Sequence, residues 1–173
     1  IGNNRFHRLL VSGNPVIAGF LYGKLSSIQE QGIEVTYTFH ISEFTSKIPV
    51  YLVVELIGNL LKNAVEAVKT QQVEKQIHLS CTENENEFCL GVRNRSEKIP
   101  LDEMGRFFEK GYSSKGSERG LGLYNVKEIC EKYGVDIVCD NTEVDDKNWF
   151  LIELHIKKSN EMNLRNKSEK VSK

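Results

Sequence analysis

The order of hydrophobic periods along the chain predicts an α/β two-layer sandwich, with about three helices packed on one mixed, mostly antiparallel sheet of about five strands. Segments of helical period alternate with segments of period two in the order α-β-α-β-β-loop-α-β-β. Two pairs of the strand-like segments are joined by short polar stretches that read as turns. The length, 173 residues, is enough for one domain with a substantial core.

The first helix is expected from Pro15 to Gln31, where Val16, Ile17, Phe20, Leu21, Leu25 and Ile28 recur at near-helical spacing and Gly32 ends the run. Ile33 to His40 alternates Ile33, Val35, Tyr37 and Phe39, the pattern of a half-buried strand. Pro49 opens a second helix that runs to about Thr70. Gln76–Thr82 and Glu87–Asn94 read as a hairpin across Glu83-Asn84-Glu85-Asn86. From Arg95 to Arg119 the periodicity fails, and Phe107 and Phe108 are the large apolar pair in a stretch rich in Gly, Ser and Lys, so a long loop, either functional or disordered, is expected. A third helix follows, from Leu121 to Tyr133, with Gly134 as its C-cap. Val135–Cys139 and Trp149–Ile156 close the sheet across a turn near Asp145-Asp146-Lys147-Asn148.

The domain is expected at 14–157, after a linker at 1–13 and before a polar tail at 158–173 with too little apolar surface to order itself. Because the chain starts at Ile1, it is expected to be a piece of a longer protein. A net charge of −1 gives no electrostatic reason to seek nucleic acid or an anionic membrane. No apolar run approaches the roughly 20 residues that span a bilayer. Cys81, Cys89, Cys130 and Cys139 show no C-x-x-C spacing, and His78 and His155 complete no metal-ligand pattern. Cys81 and Cys89 fall on neighbouring strand segments, but reduced thiols are expected over a disulfide.

Two segments carry chemistry. Glu55, Asn59 and Asn63 recur every four residues among Leu, Ile, Val and Ala, which stacks a carboxylate and two carboxamides along one face of the second helix. Polar groups without partners are costly to bury, so such a stripe should meet something polar. Gly120-Leu121-Gly122-Leu123 opens the third helix, where free backbone N–H groups and the positive dipole end suit an anion. A polar, metal-competent helix beside a phosphate-binding helix start reads as a nucleotide site.

These residues resemble the ATP-binding domain shared by DNA gyrase B, the 90 kDa heat-shock chaperone, mismatch-repair ATPases and bacterial sensor histidine kinases, a Bergerat-type fold. Asn59-Leu60-Leu61-Lys62-Asn63-Ala64 is similar to the N box of the histidine kinases, Phe107-Phe108-Glu109-Lys110-Gly111-Tyr112-Ser113-Ser114-Lys115 to their F box and the start of the ATP lid, and Gly120-Leu121-Gly122-Leu123 to their second glycine box. The first glycine box, Asp-x-Gly-x-Gly, is replaced by Val92-Arg93-Asn94-Arg95-Ser96. Asn in place of Asp, with the wording Gly111-Tyr112-Ser113-Ser114-Lys115, is similar to the peptide-pheromone, accessory-gene-regulator type of sensor kinase, which would connect the chain with quorum sensing.

The resemblance implies MgATP as ligand, with Asn63 a Mg²⁺ ligand and Asn94 the acceptor for the adenine amino group, as a carboxamide oxygen allows. It further implies that Gly120, Leu121, Gly122 and Leu123 bring backbone amides to the phosphates, and that Lys110, Lys115 and Arg119 in a lid at about 95–119 add positive charge. The lid is expected to order over the nucleotide. Ile99, Met104 and Leu123 would line the adenine pocket, while Phe107 and Phe108 anchor the lid to the core. Asn59 stands where gyrase-type ATPases place a catalytic Glu, and an amide cannot take a proton from water. Glu55, one turn earlier, would polarise the acceptor imidazole or a water. Implied partners are an upstream phosphoacceptor and dimerisation hairpin and a response regulator. The isolated domain would be monomeric, within a homodimeric, membrane-anchored receptor kinase whose catalytic part is cytoplasmic. His7 lacks the residues expected around an acceptor. The alternatives are a gyrase-like or chaperone-like ATPase module and a module of the same fold that has lost the nucleotide.

Overall fold

The computed structural model describes residues 14–40, 44, 46–112 and 121–159. Helix α1 spans Pro15–Glu30; the Asn14 side chain caps it by accepting from the amides of Val16 and Ile17 at 3.0 and 3.2 Å. Strand β1 follows at Glu34–His40, then helix α2 at Val50–Thr70, β2 at Gln76–Glu83 and β3 at Glu87–Arg95. After a short helix α3, Leu101–Arg106, come α4 at Gly122–Tyr133, β4 at Asp136–Val144 and β5 at Lys147–Lys157.

The five strands form one sheet in the order β1-β2-β3-β5-β4. Only β1 and β2 run parallel; the other neighbours are antiparallel. Parallel neighbours need a crossover connection, and α2 supplies it. Registered rows of side chains then build the core face: Ile77, Asn94 and Phe150 share one row, Leu79, Val92 and Ile152 the next, and Cys81, Leu90 and Leu154 the third. Apart from Asn94 these are all apolar and buried. Helices α1, α2 and α4 cover this face, with Leu21, Leu25, Leu56, Leu60, Leu61 and Val126 filling the space between the layers. Among the described residues the opposite face carries no helix, and the strands alternate apolar inward and polar outward.

The expected sandwich of five strands on three main helices is observed, with element ends within a few residues for most segments. Two features differ. The stretch expected as a loop from Arg95 contains helix α3, a single turn and a half that begins after Pro100 and has Asp102 and Glu103 in its first turn; at six residues it is too short for periodicity to reveal. The β4–β5 hairpin is longer than expected and closes through a two-residue turn, Asp145-Asp146, with φ of 52° and 58°. Both residues at positive φ is the type I′ geometry that matches the twist of the flanking strands. The third helix ends as expected at Gly134, whose φ of 65° a side chain would oppose.

All four cysteines are free. Thr82, not Cys81, stands opposite Cys89 in the register, so the two thiols point to opposite faces of the sheet and no disulfide forms. Of the remaining expectations, the linker at 1–13, the lid residues from Ser113 to Arg119 with Gly120, and the tail from Asn160 onward lie outside the described residues.

Leu60→Ala, at a site 1% exposed, removes core side-chain contacts and should cost about 2–5 kcal/mol, measured by denaturant unfolding. Asp146→Gly should act in the opposite direction. Relief of the left-handed strain outweighs the added freedom of the unfolded chain, so the same measurement should show a gain of about 0.5–1 kcal/mol.

Candidate functional site

Each four-residue step along a helix overshoots a full turn by about 40°. The Glu55–Asn59–Asn63 stripe therefore drifts around α2 as it rises. Glu55 is exposed, whereas Asn59 and Asn63 are half-buried at the margin of the core. Neither carboxamide has a hydrogen-bond partner among the described residues, although both are partly withdrawn from water. Their neighbours Leu56, Ile57, Leu60, Leu61 and Ala64 are buried and fix the rotation of the helix, so the two amides cannot turn fully into solvent.

Helix α4 starts against this stripe. A Cβ placed on Gly122 would lie 3.2 Å from the Asn59 carboxamide oxygen and 3.8 Å from its carbon. The glycine is what permits α4 to begin so close to α2. No side chain caps the α4 N-terminus: Leu121, in the N-cap position, has none to offer. Leu121 is exposed, while Leu123 is half-buried and packs on the core. Lys110 lies over the Tyr124 ring at 5.8 Å, which places a cation beside the first turn of α4. Lys115, Arg119 and Gly120 lie outside the described residues.

Asn94 ends the core-facing row of β3 and is 2% exposed. Its amide nitrogen donates to the Arg95 carbonyl at 3.0 Å. A carbonyl only accepts, so this bond fixes which end of the carboxamide is which. The Asn94 oxygen is left as an acceptor with no donor among the described residues, which is the orientation an incoming amino group needs.

The segment after Asn94 is held by groups that the sequence pattern did not single out. The Asn141 side chain mimics a strand partner, accepting from the Ile99 amide at 3.0 Å and donating to the Ile99 carbonyl at 2.8 Å. The Asn148 amide donates to the Ser96 carbonyl and hydroxyl at 3.3 and 3.2 Å and to the Glu97 carbonyl at 3.2 Å. Arg95 pairs with Glu74 at 2.9 Å, and Lys147 with the other Glu74 oxygen at 2.5 Å. These bonds, that to Lys147 first, hold the Glu74 carboxyl below its ordinary range. Asn is depleted in strands, so Asn141 and Asn148 were readable as turn residues; their presence inside β4 and β5 is the signal that could have marked them.

Beyond this clamp, Met104 of α3 is buried and Ile99 packs on the core. Phe107 and Phe108 are also packed there, and Phe107 meets Phe150 edge-on at 5.5 Å and Tyr112 at 6.0 Å. The aromatic pair thus anchors the segment that leads from α3 toward α4, as expected. Of the stripe, Asn59 is the residue that meets Gly122; Asn63 is half-buried on the same helix, Glu55 is exposed, and Asn94 is buried on the core face of the sheet. The donor set fits a magnesium nucleotide: oxygen ligands for a hard cation, an open helix N-terminus for phosphate and a fixed carboxamide acceptor.

Comparison with known proteins bears on this arrangement. Residues 50–157, which contain α2, α4 and every strand but β1, match the family model described as GHKL domain. Sensor protein CitS of Halalkalibacterium halodurans is 34% identical over 135 residues, covering 76% of this chain and 25% of that protein. Sensor histidine kinase DcuS of Escherichia coli is 30% identical over 138 residues, covering 74% and 24%. The chain thus spans about a quarter of the length of the curated relatives it matches. Among solved structures, the catalytic domain of histidine kinase ThkA, in a nucleotide-free form, has the same fold, with a TM-score of 0.65 at 20% identity over 81% of this chain and 90% of that one. The family match extends over more than half of the sequence and falls on the helices and strands that build the site; the chain belongs to the GHKL domain family.

Proposed function

We propose that this chain is the ATP-binding catalytic domain of a sensor histidine kinase. It would present MgATP so that the imidazole of a phosphoacceptor His attacks the γ-phosphorus. The observation that carries this reading is the pair of half-buried carboxamides of Asn59 and Asn63, without hydrogen-bond partners among the described residues, with Asn59 set against the start of α4, whose N-cap residue Leu121 offers no side-chain cap. The relatives named as sensor kinases support it, as does the shared fold of the ThkA catalytic domain.

Asn63 holds Mg²⁺ through its carboxamide oxygen, and the cation, when bound, neutralises part of the triphosphate charge. The α4 amides at Gly122 and Leu123 hold phosphate oxygens, together with Gly120 and Leu121 just before them. Lys110, Lys115 and Arg119 add positive charge around the same group. The Asn94 oxygen accepts from the adenine amino group. Because Asn59 cannot remove a proton, no side chain at that position activates water, and the γ-phosphoryl is kept for the imidazole. Glu55, exposed one turn earlier, is placed to orient that imidazole as the P–N bond forms and ADP leaves. Such chemistry rests on positioning and charge neutralisation. In the whole protein the acceptor lies on a dimerisation hairpin, the phosphoryl passes to a response regulator, and the domain works on the cytoplasmic side of a membrane-anchored homodimer.

The relatives bear on the subclass. They are named CitS, DcuS and probable C4-dicarboxylate sensor kinase, and they do not support the peptide-pheromone type expected from Asn94 and the wording around Tyr112. The similarity covers about a quarter of each relative, so the signal each one senses does not carry over to this chain.

Asn63→Ala should abolish Mg²⁺-dependent ATP binding by calorimetry while leaving the unfolding midpoint nearly unchanged, since the side chain is half-buried and makes no hydrogen bond among the described residues. Undiminished MgATP affinity in this variant would remove the metal assignment. Asn94→Asp should retain ATP binding or tighten it by roughly 1 kcal/mol, because a carboxylate accepts a stronger hydrogen bond from an amino group. Discrimination against GTP should persist. Loss of binding in a folded Asn94→Asp protein would mean that Asn94 donates rather than accepts, that its bond to the Arg95 carbonyl is needed to orient the acceptor, or that the adenine lies elsewhere.

A further inference from the structure

The helix-free face of the sheet carries a second cluster of ligand-type side chains, remote from the carboxamides. Cys89 and His155 stand directly opposite each other on β3 and β5, and Glu87 lies two residues before Cys89 on the same face. The Cys89 sulfur is 3.6 Å from His155 Nδ1 and 3.9 Å from the Glu87 carboxylate, and His155 Nδ1 is 3.0 Å from that carboxylate. A tetrahedral Zn²⁺ at usual bond lengths would hold sulfur and nitrogen ligands about 3.6 Å apart, sulfur and oxygen about 3.5 Å, and nitrogen and oxygen about 3.3 Å. Each observed separation lies within a few tenths of an ångström of these values before any cation draws the ligands together.

The surroundings of His155 supply what a metal-binding imidazole requires. Its second ring nitrogen, Nε2, lies 2.9 Å from a Glu153 oxygen. Nδ1 faces the Glu87 carboxylate at 3.0 Å, so a cation bound between Cys89 and Glu87 would take the place of the Nδ1 proton while Nε2 keeps its proton for Glu153, the carboxylate–histidine–metal arrangement. Opposite Glu153 stands Gly91, where a Cβ would come within 3.4 Å of the Glu153 carboxylate and 2.8 Å of the Ser80 hydroxyl. The missing side chain therefore leaves room for Glu153 to lean toward His155. The three ligand residues are all half-buried, so a cation would be partly desolvated yet reachable from solvent.

We propose that Glu87, Cys89 and His155 form a binding site for a borderline-soft divalent cation of the Zn²⁺ type. Water completes its coordination, and Glu153 is the positioning residue for His155. Spacing in the sequence gives no hint of it, because the ligands come from two strands joined only through the fold. The cation ties β3 to β5 on the face and at the strand end away from Asn94, so it does not compete with the nucleotide.

Titrating the reduced, metal-free chain with Co²⁺ as a spectroscopic probe tests the site. The expected result is a thiolate-to-cobalt charge-transfer band that saturates at one equivalent and is lost on adding Zn²⁺. Cys89→Ser should eliminate the band. His155→Gln and Glu87→Gln should each weaken binding at least tenfold, and Glu153→Gln by about 10–100-fold. Cys139→Ser and Asn63→Ala should leave the band unchanged, which separates this proposal from the nucleotide reading. Zn²⁺ should also raise the melting midpoint of the parent chain and of Asn63→Ala, but not of Cys89→Ser. Absence of the band, its persistence in Cys89→Ser, or unaltered affinity in a folded His155→Gln would overturn the site.

Discussion

The position of α2 against the sheet is the constraint on which the rest of this structure depends. The helix makes the crossover that lets β1 and β2 run parallel, and its buried residues fill the centre of the interlayer space. Burial of Leu56, Leu60 and Leu61 fixes its rotation, since any turn would expose apolar surface worth about 1.5–3 kcal/mol for each large side chain. With the rotation fixed, Asn59 and Asn63 are held at the margin of the core whether or not a ligand is present. Site geometry is thus a by-product of core packing, and rigid placement of this kind is what a phosphoryl-transfer site needs.

Helix α4 completes the site for a related reason. It packs against α2, and the missing side chain at Gly122 lets its first turn come within van der Waals reach of Asn59. A helix start is useful to an anion only where its amides are uncapped, and Leu121 caps nothing. The apolar interior of α4, Val126 and Cys130, holds the helix from the other end. Burial alone pushes the Cys130 thiol up to about 12, so this cysteine behaves as a small apolar core residue.

The sheet serves different purposes on its two faces. Its core face ends in Asn94, whose oxygen is directed by a hydrogen bond to its own neighbour's carbonyl, and the clamp of Asn141 and Asn148 fixes the segment that follows. Those clamping residues belong to β4 and β5, so the last hairpin of the chain, closed by the Asp145-Asp146 turn, steadies the segment that follows Asn94. The open face keeps its polar character through cross-strand pairs such as Thr36 with His78 and Glu87 with His155. Because alternate residues of a strand face opposite ways, one strand, β3, supplies Asn94 to one face and Cys89 to the other without conflict.

Local periodicity by itself determined the order and kind of the long elements, because α1, α2, α4 and the core strands bury one side and repeat apolar residues at 3.6 or 2. The same pattern exposed the carboxamide stripe and the glycine-led helix start, since polar residues interrupting an apolar face and glycines at a helix entrance are local features. Only the tertiary structure decided what meets what. It left Glu55 exposed while half-burying Asn59 and Asn63, because a drift of about 40° per four-residue step carries the first residue away from the core. It turned two Asn residues of the last hairpin into the clamp on Ser96 and Ile99, formed α3 from a stretch too short to show a period, and separated Cys81 from Cys89 by strand register. It also gathered Glu87, Cys89 and His155 from strands far apart in sequence. The clamp and the Glu87–His155 contact depend on pairings across 40 or more residues, and a linear pattern holds no information on which strands become neighbours.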